Sequence, residues 1–190
     1  MPKRMLVHDR RLAGTTPFIA QNTYLVNVGV ATNHIVDWVG QYAKSQSGLD
    51  ELLIMCHGYA VLSDARSATT YPEPVGATGL QLGNPGLTWS TVARTSAWKG
   101  NIGSIYLYAC GVSASSMHDD PAFDGTRLCG ELALYSGANV YAADQLQWYT
   151  GANPSGGAVI NFGDWEGQVY CYNPNDGQGT PVSLGAQPMP

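Results

Sequence analysis

The chain has 190 residues, of which 44% are apolar and only 12% are charged, and its formal net charge is −5. This length suits one domain with a sizeable core, and the apolar content excludes disorder for the body of the chain. The acidic balance argues against a nucleic-acid partner, since phosphates need a basic protein face. No apolar run reaches the roughly 18–20 residues of a membrane span. The first eleven residues carry a net charge of +3, which we interpret as a solvated edge strand rather than a partner-binding arm.

The hydrophobic patterns predict strands and helices that alternate along the chain. Five strands are expected, at residues 4–8, 24–28, 52–56, 104–111 and 139–143. Three helices are expected, from a cap at Thr32 or Asn33 to Gly48, over 87–98, and from a cap at Asp124 to Gly137. A hairpin over 158–172 completes a single domain, 1–175, and the tail 176–190 is expected to be loose. The alternation predicts an α/β fold, with helices on both faces of a mostly parallel sheet.

Residues 59–86 are rich in glycine, proline, serine and threonine and show little periodicity. They predict a long loop with a small hairpin at 78–86. Long ordered loops in compact domains are often functional.

The four cysteines, Cys56, Cys110, Cys129 and Cys171, match no zinc-binding spacing, and the histidines are scattered. Cys56 and Cys129 lie in apolar segments, where a free cysteine behaves as a small hydrophobic residue. We therefore expect a reduced protein without a metal site. The basic start is not followed by the apolar stretch of a signal peptide, so the expected location is cytoplasmic.

Two of the predicted strands end in reactive side chains. The strand 52–56 leads into His57-Gly58, and the strand 104–111 carries Cys110, 53 positions after His57. One helical crossover fits between them, and sites in open α/β sheets form beyond the carboxyl ends of the strands. A neighbouring imidazole could take the proton of the thiol and later protonate a leaving amine. The N–H groups of Gly58 and Cys110 could face the oxygen of a tetrahedral intermediate. The alternative is a hydrogen-bonded histidine and a core cysteine that happen to end strands.

An apolar strand ending in His-Gly, then about fifty residues, then an apolar strand ending in Ala-Cys resembles the cysteine peptidases of the caspase-like fold. These include caspases, metacaspases, gingipain, clostripain, separase and the bacterial CHAT-type domains, and the segment before Cys110 is most similar to the bacterial branches. The resemblance covers residues 24–145. It implies a three-layer α/β/α fold with a mostly parallel central sheet, and no cofactor. By match, His57 would be the general acid/base, Cys110 the nucleophile and Gly58 part of the oxyanion site.

The residues around Cys110 depart from the best-known members of that family. The stretch Tyr108-Ala109-Cys110-Gly111 lacks the Asp-Ser-Cys-His-Ser-Gly form of metacaspases and shares only Ala-Cys with the caspase form. Aspartate specificity is therefore not implied. In this fold, the segment after the next strand helps to line the substrate pocket, and Asp144 lies there. We expect Asp144 to bind a basic side chain through an ion pair; the alternative is an exposed turn carboxylate.

The sequence thus predicts a cysteine endopeptidase that acts on protein or peptide substrates through an acyl-enzyme intermediate. The alternative is a catalytically silent or regulated caspase-like module that serves as an interaction partner or effector, with a regulatory partner protein. A further alternative is a virulence or anti-phage effector that a host activates. Other hydrolase templates fail on spacing, because an α/β-hydrolase places its histidine after the nucleophile, whereas His57 precedes Cys110.

Overall fold

The structure is a computed structural model, and it describes residues 1–59, 79–114, 124–145, 147 and 159–184. The strands are β1 (Arg4–Asp9), β2 (Asn22–Val26), β3 (Leu49–Met55), β4 (Gly58–Tyr59), β5 (Gly79–Leu80), β6 (Leu87–Thr88), β7 (Ile102–Tyr108), β8 (Asn139–Ala143), β9 (Val169–Tyr172) and β10 (Gly179–Val182). The helices are α1 (Thr32–Ser45), a 3₁₀ helix (Val92–Trp98) and α2 (Gly125–Ser136). In the described ranges, no helix is long and apolar enough to cross a bilayer.

Seven strands form one sheet, in the order β2-β1-β3-β7-β8-β9-β10. The first five strands are parallel, and β9 and β10 add two antiparallel strands at one side. The short strands β4, β5 and β6 form a separate antiparallel sheet. The protein is therefore an α/β protein with a mainly parallel central sheet, as the alternating pattern predicts. A small hairpin was expected at residues 78–86; the structure forms one from β5 and β6, whose second strand lies just beyond these bounds, at Leu87–Thr88. Residues 60–78 lie outside the described ranges.

Successive residues of β3 point to opposite faces of the sheet, and both faces are buried. Leu52 and Ile54 belong to an apolar cluster that also contains the buried apolar side chains of α1, the 3₁₀ helix and α2. Leu53 and Met55 belong to a second cluster on the other face. This confirms the prediction of a strand covered on both sides, which follows from the unbroken apolar run.

The second face is covered differently from the expectation of helices on both sides. In the described part of the chain, its covering residues come from connecting segments, namely Leu12, Phe18, Ile160 and Phe162. The connection between β1 and β2 spans only residues 10–21 and contains glycine and proline, which leaves no room for a regular crossover helix. The architecture remains compatible with three layers, and among the described residues it is connecting segments that cover the second face.

The basic start of the chain is not an edge strand. β1 lies between β2 and β3, so the interpretation as a solvated edge was wrong. Two of the four basic residues at this start form ion pairs, Arg4 with Glu51 and Arg11 with Asp9. The order of the parallel strands, rather than composition, decides which strand is covered.

The helix ends agree with the sequence in part. The N-cap position of α1 is Ala31, so neither Thr32 nor Asn33 caps the helix as predicted. The Oγ1 of Thr32 instead donates to the carbonyl oxygen of Leu82 and accepts from the N–H of Gly86, at 2.9 Å each. α2 has the predicted cap, Asp124, and ends at Gly137 in the left-handed region (φ 69°).

The carboxyl-terminal strands also differ from expectation. The hairpin is formed by β9 and β10, over residues 169–182, rather than over 158–172. β10 lies where a loose tail was expected from residue 176, and its residues are largely exposed. Residues 185–190 lie outside the described ranges.

Candidate active site

The strands β3 and β7 bring His57 and Cys110 to the same edge of the sheet. The two strands are neighbours in parallel register, with Met55 opposite Tyr108. The pairing continues past the strand ends, since the N–H of Cys56 donates to the carbonyl oxygen of Tyr108 at 3.3 Å. His57 and Cys110 lie two residues after Met55 and Tyr108, respectively. The predicted convergence of these two positions at one rim therefore follows from the observed register.

Gly58 lies directly against the backbone of Cys110. A Cβ atom built on Gly58 would lie 2.1 Å from the carbonyl oxygen of Cys110, and that oxygen is a backbone atom that cannot turn aside. Any side chain at this position would push the two strand ends apart. The absence of a side chain is thus what allows the His57-Gly58 segment to approach Cys110.

The imidazole of His57 is half-buried and held by the connection that follows β1. Its Nε2 lies 3.3 Å from the carbonyl oxygen of Arg11. A carbonyl oxygen can only accept, so this contact places the proton on Nε2 and leaves Nδ1 as the basic nitrogen. The backbone of His57 is held as well, because its carbonyl oxygen accepts from the N–H of Gln81 at 2.7 Å. Burial lowers the pKa of His57 below its ordinary value of 6.5.

The thiol of Cys110 is half-buried beside the segment that follows β8. Its Sγ lies 3.5 Å from the carbonyl oxygen of Gln147. Burial raises the pKa of the Cys110 thiol; a backbone hydrogen bond with Gln147 opposes this effect, and the carboxylate of Glu166 adds to it.

The opposite pKa shifts favour a neutral thiol at Cys110 and a neutral imidazole at His57 at pH 7. Such a pair does not start from a preformed thiolate. Instead, His57 would accept the proton of Cys110 as the sulfur attacks, which is general-base catalysis.

Gln147 is a site residue that the sequence did not indicate. It is buried, and its amide is fixed by the backbone of Glu166: Nε2 donates to the carbonyl oxygen of Glu166 at 2.9 Å, and Oε1 accepts from its N–H at 3.3 Å. A glutamine in a polar loop belongs to no sequence pattern that marks a functional site, so only the fold could reveal its contact with Cys110.

The other cysteines are placed as the sequence predicts. All four are free thiols. Cys56 and Cys129 are fully buried in the core, which confirms their role as small hydrophobic residues, and burial raises the pKa of both. Cys171 is half-buried on β9. Within the described ranges, no group of three or more histidine, cysteine, aspartate or glutamate side chains could hold a metal ion.

Asp144 lies in a cleft of about 450 Å³ on the side of the sheet that carries α2. Its Oδ1 accepts from the N–H of Gln168 at 2.9 Å, which joins the residue after β8 to the residue before β9. The described residues that line this cleft include Ser113 and Tyr172 but neither member of the predicted dyad. The structure therefore places His57, Gly58 and Cys110 at the same end of β3 and β7, with Gly58 against the Cys110 backbone, and leaves Asp144 in a cleft that neither His57 nor Cys110 lines.

Comparisons of the chain with protein-family models, with curated proteins and with solved structures found no match.

Proposed function

We propose that the protein is a cysteine endopeptidase of the caspase-like fold, in which Cys110 is the nucleophile and His57 the general acid/base. One observation carries the proposal: the adjacent parallel strands β3 and β7 deliver both residues to one rim, with Gly58 packed against the Cys110 backbone. The resemblance to caspase-like peptidases adds support, because it assigns the same roles to the same residues.

In the proposed reaction, the Sγ of Cys110 attacks the carbonyl carbon of the scissile peptide bond while His57 takes the thiol proton. The C–S bond forms, and the oxygen of the tetrahedral intermediate is held by the N–H groups of Gly58 and Cys110. Each such donor contributes roughly 3 kcal/mol to lowering the barrier. The intermediate collapses as the C–N bond breaks, and His57 gives its proton to the leaving amine.

The resulting thioester is hydrolysed by water. His57 takes a proton from the water as its oxygen attacks the thioester carbon, and the C–S bond then breaks. The proton returns to the departing sulfur, which regenerates the neutral pair. The protein supplies every group in this cycle, and none of its steps calls on a cofactor.

For substrate preference, we propose that Asp144 binds a basic side chain next to the scissile bond. The N–H groups of Gly111 and Ser113 donate to the carbonyl oxygens of Gln145 and Ala143, at 2.9 and 3.0 Å. The chain that leaves Cys110 therefore runs alongside the segment that contains Asp144. A substrate side chain directed along this path would meet a carboxylate, which favours arginine or lysine.

Alkylation by iodoacetamide at neutral pH, quantified at each cysteine by peptide mapping, tests the dyad. Because His57 should take the thiol proton as the sulfur attacks the reagent, we expect faster labelling of Cys110 than of Cys171, which is also half-buried and serves as an internal reference. Replacement of His57 by alanine should reduce Cys110 labelling to the Cys171 rate or below. Labelling of Cys110 that is no faster than that of Cys171 and insensitive to His57→Ala favours the silent interaction module instead.

A peptide-library cleavage profile tests the reaction and the preference together. Wild type should cleave after arginine or lysine, Cys110→Ala should not cleave at all, and Cys171→Ala should behave as wild type. Asp144→Ala should remove the basic preference. Cleavage after aspartate or after small apolar residues would contradict the role proposed for Asp144 while leaving the dyad in place.

A further inference from the structure

We propose that the ion pair between the buried carboxylate of Asp9 and the half-buried Arg11 is a positioning device for His57, which it holds through both the imidazole ring and the backbone. This inference rests on the proposed function, because the position of His57 matters to a reaction only if His57 acts on Cys110.

The carboxylate of Asp9 is completely buried and fully occupied by donors. Its Oδ1 accepts from the backbone N–H and the Nε of Arg11, at 3.1 and 2.8 Å. Its Oδ2 accepts from the Nη2 of Arg11 at 2.6 Å and from the backbone N–H of Gly83 at 2.9 Å. The carboxylate therefore fixes both ends of Arg11, its backbone and its guanidinium group.

The backbone of Arg11 is what contacts the ring of His57. Its carbonyl oxygen lies 3.3 Å from Nε2. The Asp9 carboxylate binds the N–H and the guanidinium group of Arg11, and the peptide unit that carries the Arg11 carbonyl is held by the N–H of Leu12, which donates to the carbonyl oxygen of Asp9 at 2.9 Å. The tautomer and orientation of His57 thus depend on a side chain that does not touch the ring.

The same pair holds the hairpin that supports the His57 backbone. Gly83 is bound in both directions: its N–H donates to Asp9, and its carbonyl oxygen accepts from the Nη2 of Arg11 at 2.8 Å. Two residues earlier in this hairpin, the N–H of Gln81 donates to the carbonyl oxygen of His57 at 2.7 Å. A single ion pair therefore links two separate segments that converge on His57.

Stability alone is a poor reason for this arrangement. A buried ion pair contributes little net stability relative to apolar residues of the same size, because both charges lose their hydration. β1 is already joined to β3 by the ion pair between Arg4 and Glu51, at the other end of the same two strands. That second pair, whose side chains are 16% and 22% exposed, provides a matched control.

The test compares Asp9→Asn with Glu51→Gln. The imidazole ¹⁵N chemical shifts of His57, assigned by their absence in His57→Ala, report which ring nitrogen carries the proton. Iodoacetamide labelling of Cys110 relative to Cys171 reports the dyad. If Asp9→Asn does not fold, the double variant Asp9→Asn/Arg11→Gln replaces it, since it leaves no uncompensated buried charge.

Wild type and Glu51→Gln should both show the proton on Nε2 and the same Cys110 labelling rate. Asp9→Asn, or the double variant, should show a mixture of tautomers and a rate at least about 10-fold lower, since a displacement of 1 Å can cost about 10²-fold. An unchanged Nε2–H tautomer and rate in these variants, with labelling still lost in His57→Ala, would overturn the positioning role and leave the dyad standing. If His57→Ala labels like wild type, the proposed function fails, and the ¹⁵N shifts alone decide whether Asp9 and Arg11 position the ring.

Discussion

The replacement of Gly58 by alanine should uncouple His57 from Cys110 while leaving the rest of the fold in place. The added Cβ would lie 2.1 Å from the carbonyl oxygen of Cys110, whereas ordinary van der Waals contact begins at 3.4 Å. The two strand ends must therefore separate by about 1.3 Å. Because a misplacement of 1 Å can cost about 10²-fold in rate, we expect peptide cleavage to fall by about two orders of magnitude. The strain of overpacking should also lower the free energy of unfolding by about 1–3 kcal/mol.

Gly103→Ala is the matched control, because Gly103 lies on β7 at the opposite end of its pairing with β3. There the new Cβ would lie 3.1 Å from the carbonyl oxygen of Asp50, and a shift of a few tenths of an ångström relieves the contact. Initial rates on a peptide substrate and denaturant unfolding of both variants complete the assay. If Gly58→Ala cleaves at the rate of Gly103→Ala, the close approach of Gly58 to Cys110 is not needed for the reaction, and the geometric argument fails.

Three further predictions concern the dyad and the core. Burial lowers the pKa of His57 below 6.5, and the proposed reaction needs a neutral imidazole. The pH–rate profile should therefore lose activity on acidification with a midpoint below 6.5. A midpoint above 6.5 would contradict a buried environment for the His57 ring. Trp98 is completely buried and its Nε1 donates to the carbonyl oxygen of Val36 at 2.8 Å. Trp98→Ala should therefore lower the free energy of unfolding, measured in urea, by about 3–5 kcal/mol. A loss under about 1 kcal/mol would argue against this packing. Asp124 caps α2, so Asp124→Ala should cost about 1 kcal/mol by the same measurement, whereas Asp124→Ser should cost less.

The sequence predicts the dyad because each half of it is a local signal. The unbroken apolar run before each of His57 and Cys110 identifies a strand that is buried on both faces and shows where that strand ends. Sites in parallel sheets form beyond the carboxyl ends of the strands, so both residues are expected at the same end of the sheet. The order of the strands in the sheet, by contrast, is set by pairing between distant segments and leaves no local signal in the sequence. The position of β1 beside β3 brings Arg11 to His57 and can be known only from the fold.

The segment at 87–98 shows how side chains can override an apparent helix pattern. The Oγ1 of Thr91 donates to the carbonyl oxygen of Gly86 and accepts from the N–H of Thr88, at 2.9 and 2.8 Å. Such local side-chain hydrogen bonds compete with regular helix formation. The first residues are drawn into β6, and only a 3₁₀ helix, Val92–Trp98, remains.

The interior position of β1 also has a consequence for how the chain acquires its structure during synthesis. Arg4 pairs with Glu51, 47 residues later, and β3 in turn pairs with β7, so that Leu49 lies opposite Ile102. β1 therefore leaves the ribosome long before β3, the strand beside it, and longer still before β7, the strand beside β3. Because contacts between distant segments form slowly, we expect the nascent amino-terminal half to gain protease resistance only after β7 has emerged.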